Sequence, residues 1–568
     1  MSLGNALQIG RSGLLTSQTA LETVGHNLTN ATTPGYRRQA VALQSAGSQR
    51  IDQDNFVGRG VQLEAITRQI DEALESRLRG AIADESRSNA QVELFGQLEA
   101  IQNEYSDTDL STRIGAFFNA WSNLANNPQD TGLRSLVIQE ADSLARFVQG
   151  QREELVRVRN QIDRTADANA GSINGLLDDI ESLNTRIAQA EGGAGRGAND
   201  LRDKRDTALA ELAKHLDIST VEAANGKVDV FVGSLPIISD GKSRGVELHE
   251  RTVDGEPVTQ LRVKADGSAL DLSSGELGGM LAFRNDELAE GIDTLDTFAH
   301  QLAWEVNRIH SQGQGKTLLD SATGTAIAED AAAVLNTEAA GLDFQPGHGS
   351  FQLHVTQAST GERKSHTINV DLDGIGGNDT TLNDLVADLD AVANVNASLT
   401  ADGRLHIASD SGDFQISFSD DSSGALAALG VNTFFSGTDA RDLAVNAAIR
   451  QSPNHLAAGQ GHEPGDNSNA LAIAALREKN IDALNGNSIT DYWNRHVEQL
   501  ATRTAGARQQ LESDAVVHEN LKARQQSVSG VNIDEEAIDL MRYQRSYQAS
   551  ARFLTVVDEM MQTLLGMI

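Results

Sequence analysis

Apolar positions at the start of the chain recur at alternating spacings of four and three. Leu3, Leu7, Gly10, Leu14, Ser17, Leu21, Val24 and Leu28 trace the a/d seam of a helix that packs on another helix. The last stretch repeats the pattern in Leu540, Tyr543, Tyr547, Ser550, Leu554, Val557, Met561, Leu564 and Ile568. Two amphipathic helices of similar length are therefore predicted at opposite ends of the sequence, and their apolar seam residues are candidate subunit contacts. Gly10, Gly13 and Gly25 each cost the first helix about 1 kcal/mol relative to alanine, which exceeds the marginal stability of an isolated helix. The expectation is that both ends become ordered by packing on each other and on neighbouring subunits.

Breaks set both helices off from the body. In "NLTNATTPGYRRQ" (27–39) Asn30 reads as a left-handed cap. Thr33 is driven to an extended conformation by the proline after it, and Pro34-Gly35 suits the centre of a type II turn that leads into Tyr36. At the other end, "SGVNIDEEA" (529–537) turns at Gly530. Asn532 or Asp534 can cap the helix there, and Glu535 and Glu536 sit where its dipole favours negative charge.

Between the ends, helical periodicity covers 60–105 and 134–190, and Ile173, Leu176, Ile180, Leu183 and Ile187 form one stripe of the second run. A glycine-rich loop at 191–200 precedes a helix near 200–216. Period-two runs broken by Asn-Gly and Asp-Gly turns predict a small β module over 217–273. Helix returns at 275–312, strands dominate 320–450, and 465–528 is helical again, expected to lie against the 60–190 helices. No internal repeat of fixed period occurs. The predicted fold class is α+β multidomain: a coiled-coil layer from the terminal heptad helices, a long-helix bundle body and β-rich outer domains. The boundaries read as 1–32 with 535–568 for the terminal coiled-coil domain. The helical body takes 33–216, 274–319 and 446–534, the small β module 217–273, and an acidic outer domain 320–445.

A chain of 568 residues exceeds one hydrophobic core. Its formal charge of −34 argues against nucleic acid and anionic membranes as partners. Acidity concentrates in 320–450, with 19 acids against 5 bases, whereas residues 1–50 carry 4 bases and 1 acid. Cysteine is absent, which removes disulfides and thiolate metal sites. No apolar run is long enough to span a membrane, and the N-terminal stripe holds Arg11 where a secretory core would be apolar. Export, if it occurs, is expected without a conventional cleaved signal.

Motifs of enzymes dissolve under their context. "GKSRG" (241–245) has the spacing of a nucleophile elbow, but a strand follows it where a helix is required. "HERTV" (249–253) has valine in place of the second zinc-ligating histidine. The glycines at 192–197 match neither phosphate-binding fingerprint. "DLDGIGGND" (371–379) lacks EF-hand spacing and reads as a turn. The thirteen histidines are scattered. No catalytic, cofactor-binding or metal residue is assigned, and no enzymatic role.

Two of these segments resemble a known family. "GLLTSQTALETVGHNLTNATTPGYRRQ" (13–39) is similar to the N-terminal signature of bacterial flagellar axial proteins, which include rod, hook and junction proteins. "SVSGVNIDEEAIDLMRYQRSYQASARFLTVVDEMMQTLL" (527–565) resembles the C-terminus of the hook–filament junction members, and the length fits the longer of the two. Segments 275–313 and 465–476 agree. The resemblance implies an extracellular structural polymer that is exported unfolded by the flagellar type III system and joins hook to what grows beyond it. Implied partners are further copies of the chain, the hook protein, the second junction protein and an export chaperone on the C-terminal helix. Another axial protein and a cytoplasmic coiled-coil scaffold are the alternative readings.

Overall fold

The computed structural model describes residues 3–50, 56–102, 109–192, 197–253, 255–461 and 463–567. Its helices are, first, α1 (Leu3–Asn30), α2 (Glu72–Gln102), α3 (Leu110–Asn126), α4 (Thr131–Glu191), α5 (Asn199–His215), α6 (Glu276–Ala282) and α7 (Leu288–His310). Then come α8 (Leu382–Asp390), α9 (Ala425–Ala428), α10 (Ala447–Gln451), α11 (Ser468–Ala475), α12 (Ile489–Ser529) and α13 (Ile533–Leu565). None of the described helices is long and apolar enough to cross a membrane. The chain divides into two compact units. One comprises Met1–Leu94, Gln161–Asn285 and Ala505–Ile568, the other Phe95–Asn160 and Asp286–Thr504.

In the first unit the apolar stripe of α4 meets a sheet. Ile173, Leu177 and Ile180 pack with Leu209 and Leu212 of α5 and with Val228, Val230, Val232, Ile237 and Ile238. Strands Ile218–Glu222, Val228–Val232, Leu235–Ser239 and Lys242–Ser243 pair antiparallel in chain order. Burial alternates along Val228–Val232, as a strand with one face on a helix requires. Asn184 of α4 is fully buried, and its side-chain amide bonds both the N–H (3.0 Å) and the carbonyl (2.9 Å) of Val228, which fixes helix against sheet. "GKSRG" spans the short strand Lys242–Ser243 and the residues flanking it, with Gly241 and Gly245 at positive φ, and "HERTV" lies in the strand Val246–Val253. The lower half of α12 runs antiparallel along α2: Ser88 donates to Asp514 (2.6 Å), Gln525 donates to Glu75 (3.0 Å), and His518 meets Glu85.

Between residues 39 and 68, which were expected within the helical body, the chain forms strands, and the helical pattern expected from residue 60 begins later. Gln39–Ser45 pairs with Val61–Arg68, and Ser48–Arg50 with Phe56–Gly58. Helix begins only at Glu72, where the Asp71 carboxylate accepts from the N–H of Leu74 at 3.1 Å. The cause is local. Val61, Leu63 and Ala65 keep a period of two that the longer helical pattern obscures, and Gly60 at φ +101° breaks the chain before them.

In the second unit Phe117 and Trp121 of α3 form an aromatic cluster with His310 of α7 and Phe434–Phe435, with ring centroids 4.8–6.4 Å apart. The region after residue 320 builds its own core from Phe351, Leu353, Ile368, Val370, Leu385, Leu389, Ile407, Ile416 and Phe418. Two three-stranded antiparallel sheets carry it, in the orders Arg363–Val370, Gly349–Gln357, Phe414–Ser419 and Ser321–Thr323, Leu405–Ser409, Val395–Leu399.

His310 gives this unit a pH signature. Its Nδ1 lies 2.8 Å from the Asn432 carbonyl and its Nε2 accepts from the N–H of Ala457 at 2.9 Å, which defines a neutral tautomer. Burial pushes its pKa down from 6.5 to about 4, against the opposing pull of the Asn432 carbonyl and with help from Arg134. As pH falls through this window the unfolded chain takes up a proton that the folded imidazole refuses. The contribution is whole above pH 6.5 and lost toward pH 4, on the order of 3 kcal/mol. Urea titrations at pH 7.5 and 4.5 should show that loss, and His310→Gln should flatten the dependence by about one proton.

Candidate assembly interface

Within the chain α1 and α13 lie antiparallel. Gly10 faces Leu554 and Phe553, Gly13 faces Ser550, and the Ser17 hydroxyl donates to that of Ser546 at 3.1 Å. A Cβ at Gly10 would stand 2.8 Å from Leu554 Cδ2, and one at Gly13 would stand 2.9 Å from Ser550 Oγ. These two glycines therefore set the separation of the helices. Gly25 has open space around its Cβ position and plays no such part.

Small and polar residues take the buried positions of α1, among them Asn5, Gly10, Ser17, Ala20, Val24 and Asn27. Of the predicted seam, Val24 is buried, Leu3, Leu14 and Leu21 are half-buried, and Leu7 and Leu28 are exposed. On α13, Val557 is buried and Tyr543, Tyr547, Leu554 and Met561 are half-buried, while Leu540 and Leu564 are exposed. Ile568 lies outside the described residues. Outward-facing apolar side chains remain on both helices: Leu7, Leu15 and Leu28 on α1, and Ile538, Met541, Phe553, Val556, Met560, Leu564 and Leu565 on α13. A stripe of exposed apolar side chains at helical spacing, as Phe553, Val556, Met560 and Leu564 form on α13, marks a site of association.

A polar knot ties the base of the pair. Asn27, 1% exposed, spends every hydrogen-bonding group: Nδ2 donates to Gln39 O (2.9 Å) and Glu536 Oε2 (3.0 Å). Its Oδ1 accepts from Gln39 N (3.0 Å) and from the Tyr36 hydroxyl (2.7 Å). Burial, with the carboxylates of Asp203, Asp200 and Glu536, pushes the Tyr36 phenol up, so it keeps the proton it donates. Arg38 reaches Glu536 from Nε at 2.7 Å, Glu535 at 2.9 Å and Asp539 at 3.4 Å, and its N–H donates to Ser529 O at 2.9 Å. Glu536 is 1% exposed, so Arg38 and Asn27 together are what hold its charge.

The turns show how the chain enters this knot. Thr33–Tyr36 closes with the Tyr36 N–H on Thr33 O at 3.2 Å, with Pro34 followed by Gly35 at φ +79°. A Cβ at Gly35 would collide with Thr207 Oγ1 at 2.5 Å. Asn30 departs from its expected left-handed cap. It is the last helical residue, without positive φ, and its Nδ2 donates back to His26 O at 3.0 Å. The side-chain amide satisfies a terminal carbonyl and makes the backbone reversal unnecessary. Asn532 caps α13 by accepting from Asp534 N at 3.0 Å. The N–H of Gly530 closes on Gln526 O at 2.9 Å, and a Cβ there would stand 2.4 Å from that same oxygen.

Sequence reasoning did not single out Asn27, Arg38 or Gln39. The available signal was charge complementarity: Arg37-Arg38 beside one break and "DEE" beside the other.

Comparison with known proteins places this geometry. Residues 95–327 match the model for the flagellar hook-associated protein FlgK helical domain, and 524–567 match that for the flagellar basal body rod FlgEFG protein C-terminal region. The chain is 25% identical to flagellar hook-associated protein 1 of Salmonella typhimurium and of Escherichia coli K12, over 98% of this chain and of each relative. It is 23% identical to the Bacillus subtilis protein of the same name, over 99% of this chain and 97% of that one. The chain is similar over nearly its whole length to flagellar hook-associated protein 1. It is a structural component of the bacterial flagellum. A solved structure, the flagellar hook junction protein FlgK from Burkholderia pseudomallei, matches with a TM-score of 0.50 at 15% identity. The match covers 80% of this chain and 100% of that one, and it shows the shared α+β multidomain fold.

Proposed function

We propose that the chain is the subunit of an adaptor layer between flagellar hook and filament, with no catalytic role. The observation that carries this reading is the α1–α13 pair, which buries small residues within one chain and leaves apolar side chains outward on both helices. Those side chains contact further copies. The layer takes the hook protein on one side and the second junction protein on the other. Before assembly the outward stripe of α13 is a groove-binding amphipathic helix suited to an export chaperone. Residues 1–32 with 535–568 form the inner polymerisation layer, and the 217–273 and 320–445 modules face outward.

Charged substitution of the outward face tests this. Val556→Asp with Met560→Asp should leave the secreted monomer folded and α1 paired with α13, yet leave cells without filaments and shedding filament subunits into the medium. Normal filaments from that variant would overturn the reading.

A further inference from the structure

One cavity of the second unit is walled by a buried cation without a counter-charge. The Gln314 N–H donates to Gly459 O at 2.8 Å, and this backbone bridge sets the loop after α7 beside the loop before α11. Together with Arg134, from the first turn of α4, these loops enclose a cavity of about 180 Å³. Its wall also includes Lys316, Glu463 and Asp466. A cavity of about 150 Å³ admits benzene, so this one has room for a phosphate or a carboxylate group.

The state of Arg134 sets this wall apart. The residue is 2% exposed. Its Nε and Nη2 donate to Pro128 O at 2.9 and 2.7 Å, and Nη1 donates to Leu456 O at 2.5 Å. Three of the five guanidinium N–H groups are thereby spent, and two remain. Carbonyl oxygens satisfy hydrogen bonds but leave the unit charge in place, and a buried charge calls for an ionic partner. Among the described residues no carboxylate pairs with Arg134: burial pushes its pKa down to about 10 and no acid opposes the shift. The neighbouring acids are committed elsewhere. Asp130 accepts from the N–H groups of Gly132 (2.7 Å) and Leu133 (3.3 Å), and Asp466 from those of Gly461 and Ser468 (2.9 Å). Glu463 is exposed. Lys316 is exposed too, and its ammonium donates only to a carbonyl, Gln129 O at 3.1 Å.

We propose that this cavity binds one small oxyanion, a phosphate or a carboxylate group, with Arg134 and Lys316 as its donors. Guanidinium N–H groups match the oxygens of either group, and a charge-assisted bond is about twice as strong as a neutral one. The chain's formal charge of −34 repels anions from its surface at large, so saturable anion binding requires a built site. Two sources supply the group. One is a free ion. The other is an acidic side chain of a further copy, and only this second source rests on the assembly reading above.

Calorimetric titration of the dilute, untagged full chain with sodium phosphate, at constant ionic strength in chloride buffer at pH 7.5, tests the site. Sodium acetate titrated in the same way reports the carboxylate form. One anion per chain is expected. Affinity should fall by about tenfold or more in Arg134→Gln, which removes charged hydrogen bonds, and by about threefold in Lys316→Ala, which removes an exposed ionic contact. Lys316 lies at the surface, so its replacement leaves the fold intact, and circular dichroism checks both variants. Sedimentation of the concentrated chain separates the sources. Saturating phosphate weakens self-association if a neighbour's acidic side chain is the occupant, and leaves it unchanged if a free ion is. No saturable binding of either anion, or binding unchanged in Lys316→Ala, would overturn the proposal.

Discussion

Cells whose only copy of the protein carries leucine at both Gly10 and Gly13 should be non-motile and bald, while the secreted chain keeps the thermal stability of its body. At the two glycines α1 and α13 are in close contact, and Cβ atoms at those positions would already stand within 2.9 Å of Leu554, Phe553 and Ser550 side chains. A methyl group can be accepted, because Leu554 and Phe553 can rotate. A leucine cannot, and it must push the helices apart. Separation removes the burial of Val24 and Val557 and the contact of Ser17 with Ser546. Burying an aliphatic side chain is worth about 1.5–3 kcal/mol, and α1 has little stability of its own. The pair should therefore open, and limited proteolysis should then remove both ends while the β modules resist. Gly10→Ala alone should retain most motility. A wild-type swimming radius for the double leucine variant would mean that close contact of these helices is not required.

Arg38→Ala should have the second largest effect, and at a different place. It leaves Glu536 buried with Asn27 as its remaining partner. Removing one member of a buried ion pair costs about 3–5 kcal/mol. Here the penalty falls on the joint where the turn after α1 meets the start of α13, so local opening precedes global unfolding. Amide exchange at residues 533–540 should accelerate by two orders of magnitude or more. Glu536→Gln in the same background should recover part of the loss, since it removes the stranded charge and keeps a hydrogen-bonding group. Exchange in Arg38→Ala indistinguishable from the parent would show that the ion pair contributes nothing net.

How these residues escaped notice explains what can be read from the chain. The heptad spacing located both terminal helices because it repeats over eight positions at one end and nine at the other. It placed Gly10 and Ser17 in one seam with the leucines and read that seam's apolar residues as subunit contacts. Within the chain, Gly10 and Ser17, with Gly13 beside them, meet α13, because glycine and serine permit a closer approach than leucine, and Leu7 and Leu28 stay exposed. Periodicity cannot decide which of two adjacent stripes meets the nearer partner. The turn at Pro34-Gly35 was legible because only glycine adopts φ +79° without strain. Asn30 was misjudged because asparagine can end a helix either through its backbone or through its side chain, and sequence does not distinguish them. The Gln39–Arg68 strands hid in a region whose neighbours are long helices. The polar knot around Asn27 joins residues some 500 positions apart, which no local pattern reports.

The chain has no cysteine, so an engineered pair reports on one contact alone. Ser17→Cys with Ser546→Cys places two thiols where two hydroxyls now stand 3.1 Å apart. Mild oxidation of the dilute monomer should give one intrachain disulfide and a faster-migrating band on a non-reducing gel, without covalent dimers. Dimers in place of that band, or free thiols that refuse to pair, would contradict the antiparallel α1–α13 contact on which the outward assembly face depends.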